Sequence, residues 1–273
     1  MDKALDAAAL ERRFTFARKL IDEAGALALD YFRRVETLAI TSKGPQDMAS
    51  EADLAVERLI RDQLAAAFPD DGFLGEETGR SEIAAPLGIW VVDPIDGTQP
   101  FISGMGSWCV SIAFVTGDVV EMGFVTAPAR QETYVGRRGH GSTLNGRPIR
   151  VGSATKLTDG IVGVGYSPRV APDHFLPMFG RLLRGGAMFA REGSGALTLC
   201  AVACGRLIGY VEQHINAWDC LGAIAVIEGA GGRCSDFLAG DALWTGNRLI
   251  AGPPALYPAL EAVFSDDGSP AHA

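Results

Sequence analysis

The chain has 273 residues, 48% of them hydrophobic and 21% charged, with 24 Lys and Arg against 33 Asp and Glu and a formal charge of −9. That composition excludes a disordered, collagen-like or coiled-coil protein, and the length suggests one large domain or two joined halves at roughly 100–200 residues per domain. An acidic chain without a dense Lys/Arg run has no general attraction for nucleic acid or an anionic membrane, so phosphate chemistry here must recruit cations.

Met1-Asp2-Lys3-Ala4-Leu5-Asp6 lacks the apolar stretch of a signal peptide. Later apolar runs are interrupted by Asp118, Glu121, Asp219 or Glu228 before a membrane span is complete. The five cysteines, Cys109, Cys200, Cys204, Cys220 and Cys234, are an odd count in a chain large enough to do without disulfides. A cytoplasmic protein with no membrane partner is the expectation.

Residues 14–32 place Ala17, Leu20, Ile21, Ala24, Leu27 and Ala28 on one face of a long helix. The segment from Ser42 to Asp47 reads as a polar turn or irregular hairpin. A second helix starts near Ser50, carries Val56, Leu59, Ile60 and Leu64 on its apolar side, and is stopped by Pro69 and Gly72. Strands follow at 89–92, 110–115, 119–125 and 132–135, with Thr116-Gly117-Asp118 as a hairpin connection and Asn145-Gly146 as a tight turn. These predict an antiparallel sheet packed against the two helices. Beyond residue 150 the pattern alternates: strands at 161–164, 188–190, 207–211 and 249–251, helices at 174–183, 194–204, 218–230 and 256–264. The expected division is 1–150, holding the helices, the antiparallel sheet and most acidic ligands, and 151–273, an α/β half.

The chemistry concentrates in Trp90-Val91-Val92-Asp93-Pro94-Ile95-Asp96-Gly97-Thr98. An apolar strand delivers Asp93, and a turn made by Pro94 and Gly97 is expected to bring Asp96 back towards it. Two such carboxylates repel unless a cation lies between them, and an all-oxygen set suits Mg²⁺, Mn²⁺ or Ca²⁺ rather than zinc. Gly97 and Thr98 present backbone N–H groups at a helix start, which can seat a phosphate. A surface turn with capping aspartates is the competing reading.

Gly75-Glu76-Glu77, Asp93-Pro94-Ile95-Asp96-Gly97-Thr98, Trp218-Asp219 and Glu228-Gly229-Ala230-Gly231-Gly232, in this order, resemble the signature segments of the inositol monophosphatase family. The resemblance implies a lithium-sensitive, Mg²⁺-dependent phosphatase with a five-layer αβαβα sandwich, of mixed α+β and α/β character. It implies one Mg²⁺ on Glu76, Asp93 and the Ile95 carbonyl, a second on Asp93, Asp96 and Asp219, and a weaker third near Glu76. Asp53, paired with Thr98, would orient the attacking water, although Ser50-x-x-Asp53 equally fits a helix-capping box. Substrate contacts are implied for Gly97, Thr98, Ser194, Gly195, Glu212 and Asp219, with helix capping and solvation as the plainer roles for Ser194 and Glu212. Lys43 and Asp47 read as solvated loop residues, Trp218 as core. Direct in-line attack by water is expected, with no covalent nucleophile motif, Cys-x5-Arg included.

Gln99-Pro100-Phe101 departs from the family's usual continuation after Asp-Gly-Thr, Gly195 replaces an Ala, and Asn216 stands where some relatives carry His. Three functions follow: a phosphatase for inositol 1-phosphate or a similar polyol or sugar phosphate, a histidinol-phosphate phosphatase, or a protein- or RNA-binding family member. Relatives form homodimers, so a homodimer is expected, with a small phosphorylated metabolite as partner.

Overall fold

Helix α1, Ala7–Phe32, begins earlier than residue 14 because the Asp6 side chain accepts the Ala9 N–H at 2.7 Å and caps it. Strands β1, Ile40–Gly44, and β2, Asp47–Ser50, form the expected irregular hairpin. This computed structural model describes residues 5–265 except 39, 45, 46, 82 and 84, and only the backbone of 41–49. The side chains of Lys43 and Asp47 therefore lie outside the described set. Helix α2, Glu51–Ala67, starts at Ser50 and ends at Phe68, just before Pro69.

The first sheet contains β3, Gly72–Gly75; β4, Gly79–Arg80; β5, Ile89–Asp96; β6, Cys109–Thr116; β7, Val119–Ala127; β8, Glu132–Arg137; β9, Gly141–Leu144; and β10, Arg147–Pro148. Short helix α3, Thr98–Ile102, follows β5 directly. The spatial order is β10-β9-β8-β7-β6-β5-β3-β4, antiparallel except that β3 runs parallel to β5. The four expected strands, β5 to β8, are antiparallel as predicted, and the added parallel pair brings the ends of β3 and β5 to the same edge.

The remaining elements are β11, Ile161–Val164; α4, Pro172–Arg184; β12, Met188–Ala190; α5, Gly195–Ala203; β13, Gly209–Ile215; α6, Leu221–Gly229; β14, Arg233–Cys234; α7, Ala242–Thr245; β15, Asn247–Gly252; and α8, Tyr257–Ala262. The second sheet has the order β12-β11-β13-β15-β14. Two of the boundary differences from the periodicity reading bear on the site. Helix α6 starts at Leu221 rather than 218, because Asp219 turns back to accept the Asn216 N–H at 3.2 Å. Strand β13 runs to Ile215, so Glu212 lies within it rather than after its end.

Alternation along the strands sorts the layers. Trp90, Val92, Ile112, Phe114 and Phe124 pack on α1 and α2, whereas Val91, Ala113 and Val125 face α5 and α6. Helices α5 and α6 pack between the two sheets, and α4 and α8 cover the far face of the second through Met178, Leu182, Val211, Ile250 and Leu260. The protein is an α+β layered sandwich with the sequence αβαβα. Helix, strand and turn ends from both sheets meet at one edge.

Candidate active site

Asp93 and Asp96 both belong to β5, which continues through them instead of turning. Asp93 pairs with Ser111 and Asp96 with Cys109, so β5 carries one extra residue there, a bulge. Pro94 has no N–H to give to the ladder, which accounts for the bulge at this point. The expected turn is thus a bulged strand end, and it still brings the two carboxylates together. Gly97 then holds φ at +94°, where a Cβ would meet the Ser107 carbonyl oxygen at 2.9 Å. Only glycine allows the chain to pass directly from β5 into α3.

Carboxyl oxygens of Asp93, Asp96 and Asp219 all lie within 4.8 Å of one another. Asp93 and Asp96 are buried and Asp219 partly so. Burial pushes the Asp93 carboxyl well up, and the charges of Glu76, Asp96 and Asp219 push the same way. Asp219 is also raised, chiefly by burial. Among the described residues no Lys or Arg forms an ion pair with these three.

Asp96 has most help from the protein. The Ser194 hydroxyl donates to its Oδ2 at 2.6 Å, and the N–H groups of Ala196 and Gly195 donate at 2.7 and 3.2 Å. Ser194 also accepts the Leu197 N–H at 3.1 Å, as the N-cap of α5. A carboxylate at a helix N-terminus is favoured by free N–H groups and the helix dipole. Burial still raises Asp96 to about 7, with the Asp219 charge adding to it. Ser194 and Gly195, expected to touch substrate, here hold a carboxylate.

Asp53 makes both contacts considered for it, the helix cap and the approach to Thr98. Its Oδ2 accepts from the Ser50 N–H at 2.8 Å and the Ser50 hydroxyl at 2.7 Å, closing the capping box. Its Oδ1 lies 3.3 Å from the Thr98 hydroxyl, which also reaches the Ile95 carbonyl oxygen at 3.1 Å. One hydroxyl proton serves one acceptor at a time. Burial raises Asp53 to about 6, against the pull of the Ser50 hydrogen bonds.

Glu76 follows β3 outside the tight triad but on the same cavity wall. Its loop is pinned by a residue that the sequence reading missed. Glu57, fully buried on α2, accepts the N–H groups of Glu77 and Thr78 at 2.8 Å each and the Thr78 hydroxyl at 2.6 Å. A Cβ on Gly75 would lie 2.5 Å from the Glu57 carboxyl. The available signal was spacing: Glu57 is one helical turn beyond Asp53, on the same face.

Of these groups, Glu76, Asp96, Gly97, Thr98, Ser194, Gly195 and Asp219 line one cavity of about 1210 Å³. Glu212 lies in its wall and accepts the Tyr210 hydroxyl at 2.5 Å, with burial raising it to about 8. The same cavity is lined by Arg169 and Arg191, which no sequence pattern marked. The expected absence of Cys-x5-Arg was wrong, since Cys200 and Arg206 have that spacing. Cys200 is nonetheless fully buried within α5 with its thiol pushed well up by burial, and Arg206 pairs with Glu132 at 2.6 Å. Neither faces the cavity, so they form no phosphate-binding loop.

The sequence model described as the inositol monophosphatase family matches residues 9–266. The chain belongs to the inositol monophosphatase family. It is similar to an inositol-1-monophosphatase of Mesorhizobium japonicum, 35% identical over 84% of this chain and 87% of that protein. It is comparably similar to the Nus factor SuhB of Haemophilus influenzae, at 34% over 85% and 87%. Among solved structures, the extragenic suppressor protein suhB of Bartonella henselae matches with a TM-score of 0.86 at 28% identity, covering 93% of this chain and 98% of that one. An inositol monophosphatase from Anabaena (Nostoc) sp. matches at 0.80 and 27%, covering 93% and 95%. Membership and these neighbours support a phosphatase whose acidic cluster can bind metal. No described helix of this family member is long and apolar enough to cross a membrane.

Proposed function

We propose that the protein hydrolyses a small phosphate monoester, of the inositol 1-phosphate or similar polyol or sugar phosphate class, by direct in-line attack of water with Mg²⁺ as cofactor. The carrying observation is the Asp93–Asp96–Asp219 cluster, which meets the cavity through Asp96 and Asp219. Its donors are all carboxylate oxygens, each raised in pKa, and that set fits a hard divalent cation. In this reading Glu76, Asp93 and the Ile95 carbonyl hold one ion, Asp93, Asp96 and Asp219 a second, and Glu76 helps with a third. Mg²⁺, when bound, supplies the positive charge that a phosphate dianion needs and the acidity that makes water a nucleophile.

The chain's own residues do the rest. Thr98 and Asp53 orient the attacking water, with the Asp53 carboxylate as proton acceptor. The Gly97 and Thr98 N–H groups seat the phosphate, and Glu212 accepts from substrate hydroxyls. Ser194 and Gly195 act through Asp96 as well as lining the cavity. The part up to residue 150 supplies most ligands, the part from 151 the substrate contacts and Asp219.

Histidinol phosphate is disfavoured by Arg169 and Arg191, since its ammonium would meet two guanidiniums. A binding role is the second reading, favoured by the relatives named Nus factor SuhB; the complete acidic cluster supports catalysis instead. Phosphate release with and without Mg²⁺, from inositol 1-phosphate and histidinol phosphate, tests the assignment. Mg²⁺-dependent, lithium-inhibited release from the former is expected. Preference for histidinol phosphate overturns the substrate class, and release from no phosphate monoester leaves the binding role.

A homodimer belongs to the same reading. Met188 and Phe189 are exposed on β12, the open edge of the second sheet, and Leu183 is exposed on α4. A monomer mass by light scattering would remove it. A cytoplasmic location is supported by the five unpaired thiols and is tested by fractionation.

A further inference from the structure

The cavity has two electrically different walls. The inner wall carries Asp96, Asp219 and Glu76, with Asp93 in the same carboxylate cluster. The outer wall is built from the loop after β11 and the segment between β12 and α5, and brings Arg169, Arg191 and Glu192 to the same space. Glu192 is already matched, because Arg130 donates to it at 2.7 Å while also holding the Gly106 carbonyl. Arg169 and Arg191 form no ion pair among the described residues. The outer wall is therefore a net cationic surface in a chain of charge −9.

Each guanidinium is tethered at one point. Arg169 donates to the Ser167 hydroxyl at 3.1 Å, and Arg191 donates to the Tyr166 carbonyl at 3.3 Å. Both tethers belong to one loop, which Tyr166 anchors by packing its ring 4.8 Å from Phe175 of α4. A guanidinium has five N–H donors, so each keeps most of its planar fork free. Both also act on carboxyls of the cavity: Arg169 pulls Asp219 down and Arg191 pulls Glu212 down, against the burial that raises them. The volume, about 1210 Å³, exceeds the ~300–1,000 Å³ usual for small-molecule sites. There is room beyond the ester for a second recognised group.

We propose that Arg169 and Arg191 form a subsite for a second anionic group, a carboxylate or a phosphate, carried by the alcohol part of the substrate. This rests on the phosphomonoesterase reading and narrows it. The scissile phosphate goes to the acidic wall with its cations, and the remote anion goes to the arginine wall. Forked N–H donors suit both carboxylate and phosphate, so the chemistry is shared and the two sources need separate arms.

The experiment measures Mg²⁺-dependent phosphate release from two matched pairs. Glucitol 6-phosphate against 6-phosphogluconate adds a carboxylate, and glucose 6-phosphate against glucose 1,6-bisphosphate adds a phosphate. The wild type is expected to favour the more anionic member of at least one pair by about tenfold in kcat/KM, mainly through KM. In the R169Q/R191Q double variant that ratio falls to about one, and in R169K/R191K part of it returns because charge is restored without the fork. Equal or better hydrolysis of the less anionic member in both pairs overturns the subsite and leaves the phosphatase intact. A preference that survives R169Q/R191Q also overturns it. Release from none of the four while inositol 1-phosphate is hydrolysed overturns the subsite alone. Release from neither inositol 1-phosphate nor any of the four overturns the phosphomonoesterase reading with it.

Discussion

Asp96 and Arg169 line one cavity and are held in opposite ways. Asp96 is 7% exposed and accepts hydrogen bonds from Ser194, Gly195 and Ala196, roughly a hundred residues further along the chain. Arg169 is exposed and tethered only to Ser167, two residues away. A buried carboxylate costs several kcal/mol unless donors meet it, so the inner wall must be assembled by the whole fold. An exposed guanidinium costs little and can be placed by a loop. The inner wall is thus assembled by the whole fold and internally repulsive, an acidic cluster that can bind metal. The outer wall is cheap to alter, which makes it the place where substrate preference can change without disturbing the chemistry.

Asp219→Asn tests this contrast most strongly. Mg²⁺-dependent turnover should fall by about a thousandfold, while the chelator-treated protein melts at a higher temperature than the wild type because one repelling charge is gone. R169Q/R191Q should leave the melting temperature unchanged. If Asp219→Asn lowered both turnover and melting temperature, the carboxylates would be a structural network rather than a strained site.

Asp53→Asn should cost about a hundredfold in turnover, within the range for loss of a positioned base, and about 1 kcal/mol of stability from the weakened cap. Wild-type turnover with only a lower melting temperature would leave Asp53 as a cap alone. Glu57→Gln comes next. The amide keeps one acceptor where two carboxylate oxygens now serve three donors, so the Glu76 loop loosens. Half-saturating Mg²⁺ should rise about tenfold, a change of about 1.4 kcal/mol, with KM at saturating Mg²⁺ held. Calorimetric Mg²⁺ titration provides a readout independent of turnover. Unchanged Mg²⁺ affinity would make Glu57 a fold residue only.

How much of this was legible in the sequence follows the same division. The Asp93–Thr98 segment and the Ser50–Asp53 box are local signals, a strand end and a helix cap, and each can be read within six residues. Helix α1 and the β6–β7 hairpin were equally local. The start of α6 was misplaced because apolar periodicity runs through Trp218, whereas Asp219 bends the chain there to accept the Asn216 N–H. The run from Asp93 to Asp96 read as a turn because a bulge depends on its partner strand. Glu57 was hidden because its three donors come from twenty residues away, with nothing local to mark it. Arg169 and Arg191 sit in loops whose course is set by α4 and β12, and loop arginines carry no period. Local chemistry was visible, and groups brought together by tertiary packing were not.

Glu212 lies between these cases, buried like the inner wall but tied to a single partner, Tyr210. Burial raises its carboxyl to about 8, with the charges of Asp219 and Asp96 adding to it. In the unfolded chain a glutamate titrates near 4.3, as expected for an exposed side chain. Between those two values the folded protein holds a proton that the unfolded chain has released, so this group's contribution to stability falls as pH rises through that window. Glu212→Gln has no such proton. The melting temperature of the variant minus that of the wild type, measured in chelator, should grow more positive from about pH 5 to about pH 8 and level off below the unfolded value. A difference independent of pH would mean that Glu212 is hydrated and ionised like a surface residue, which would move it from the inner wall to the outer.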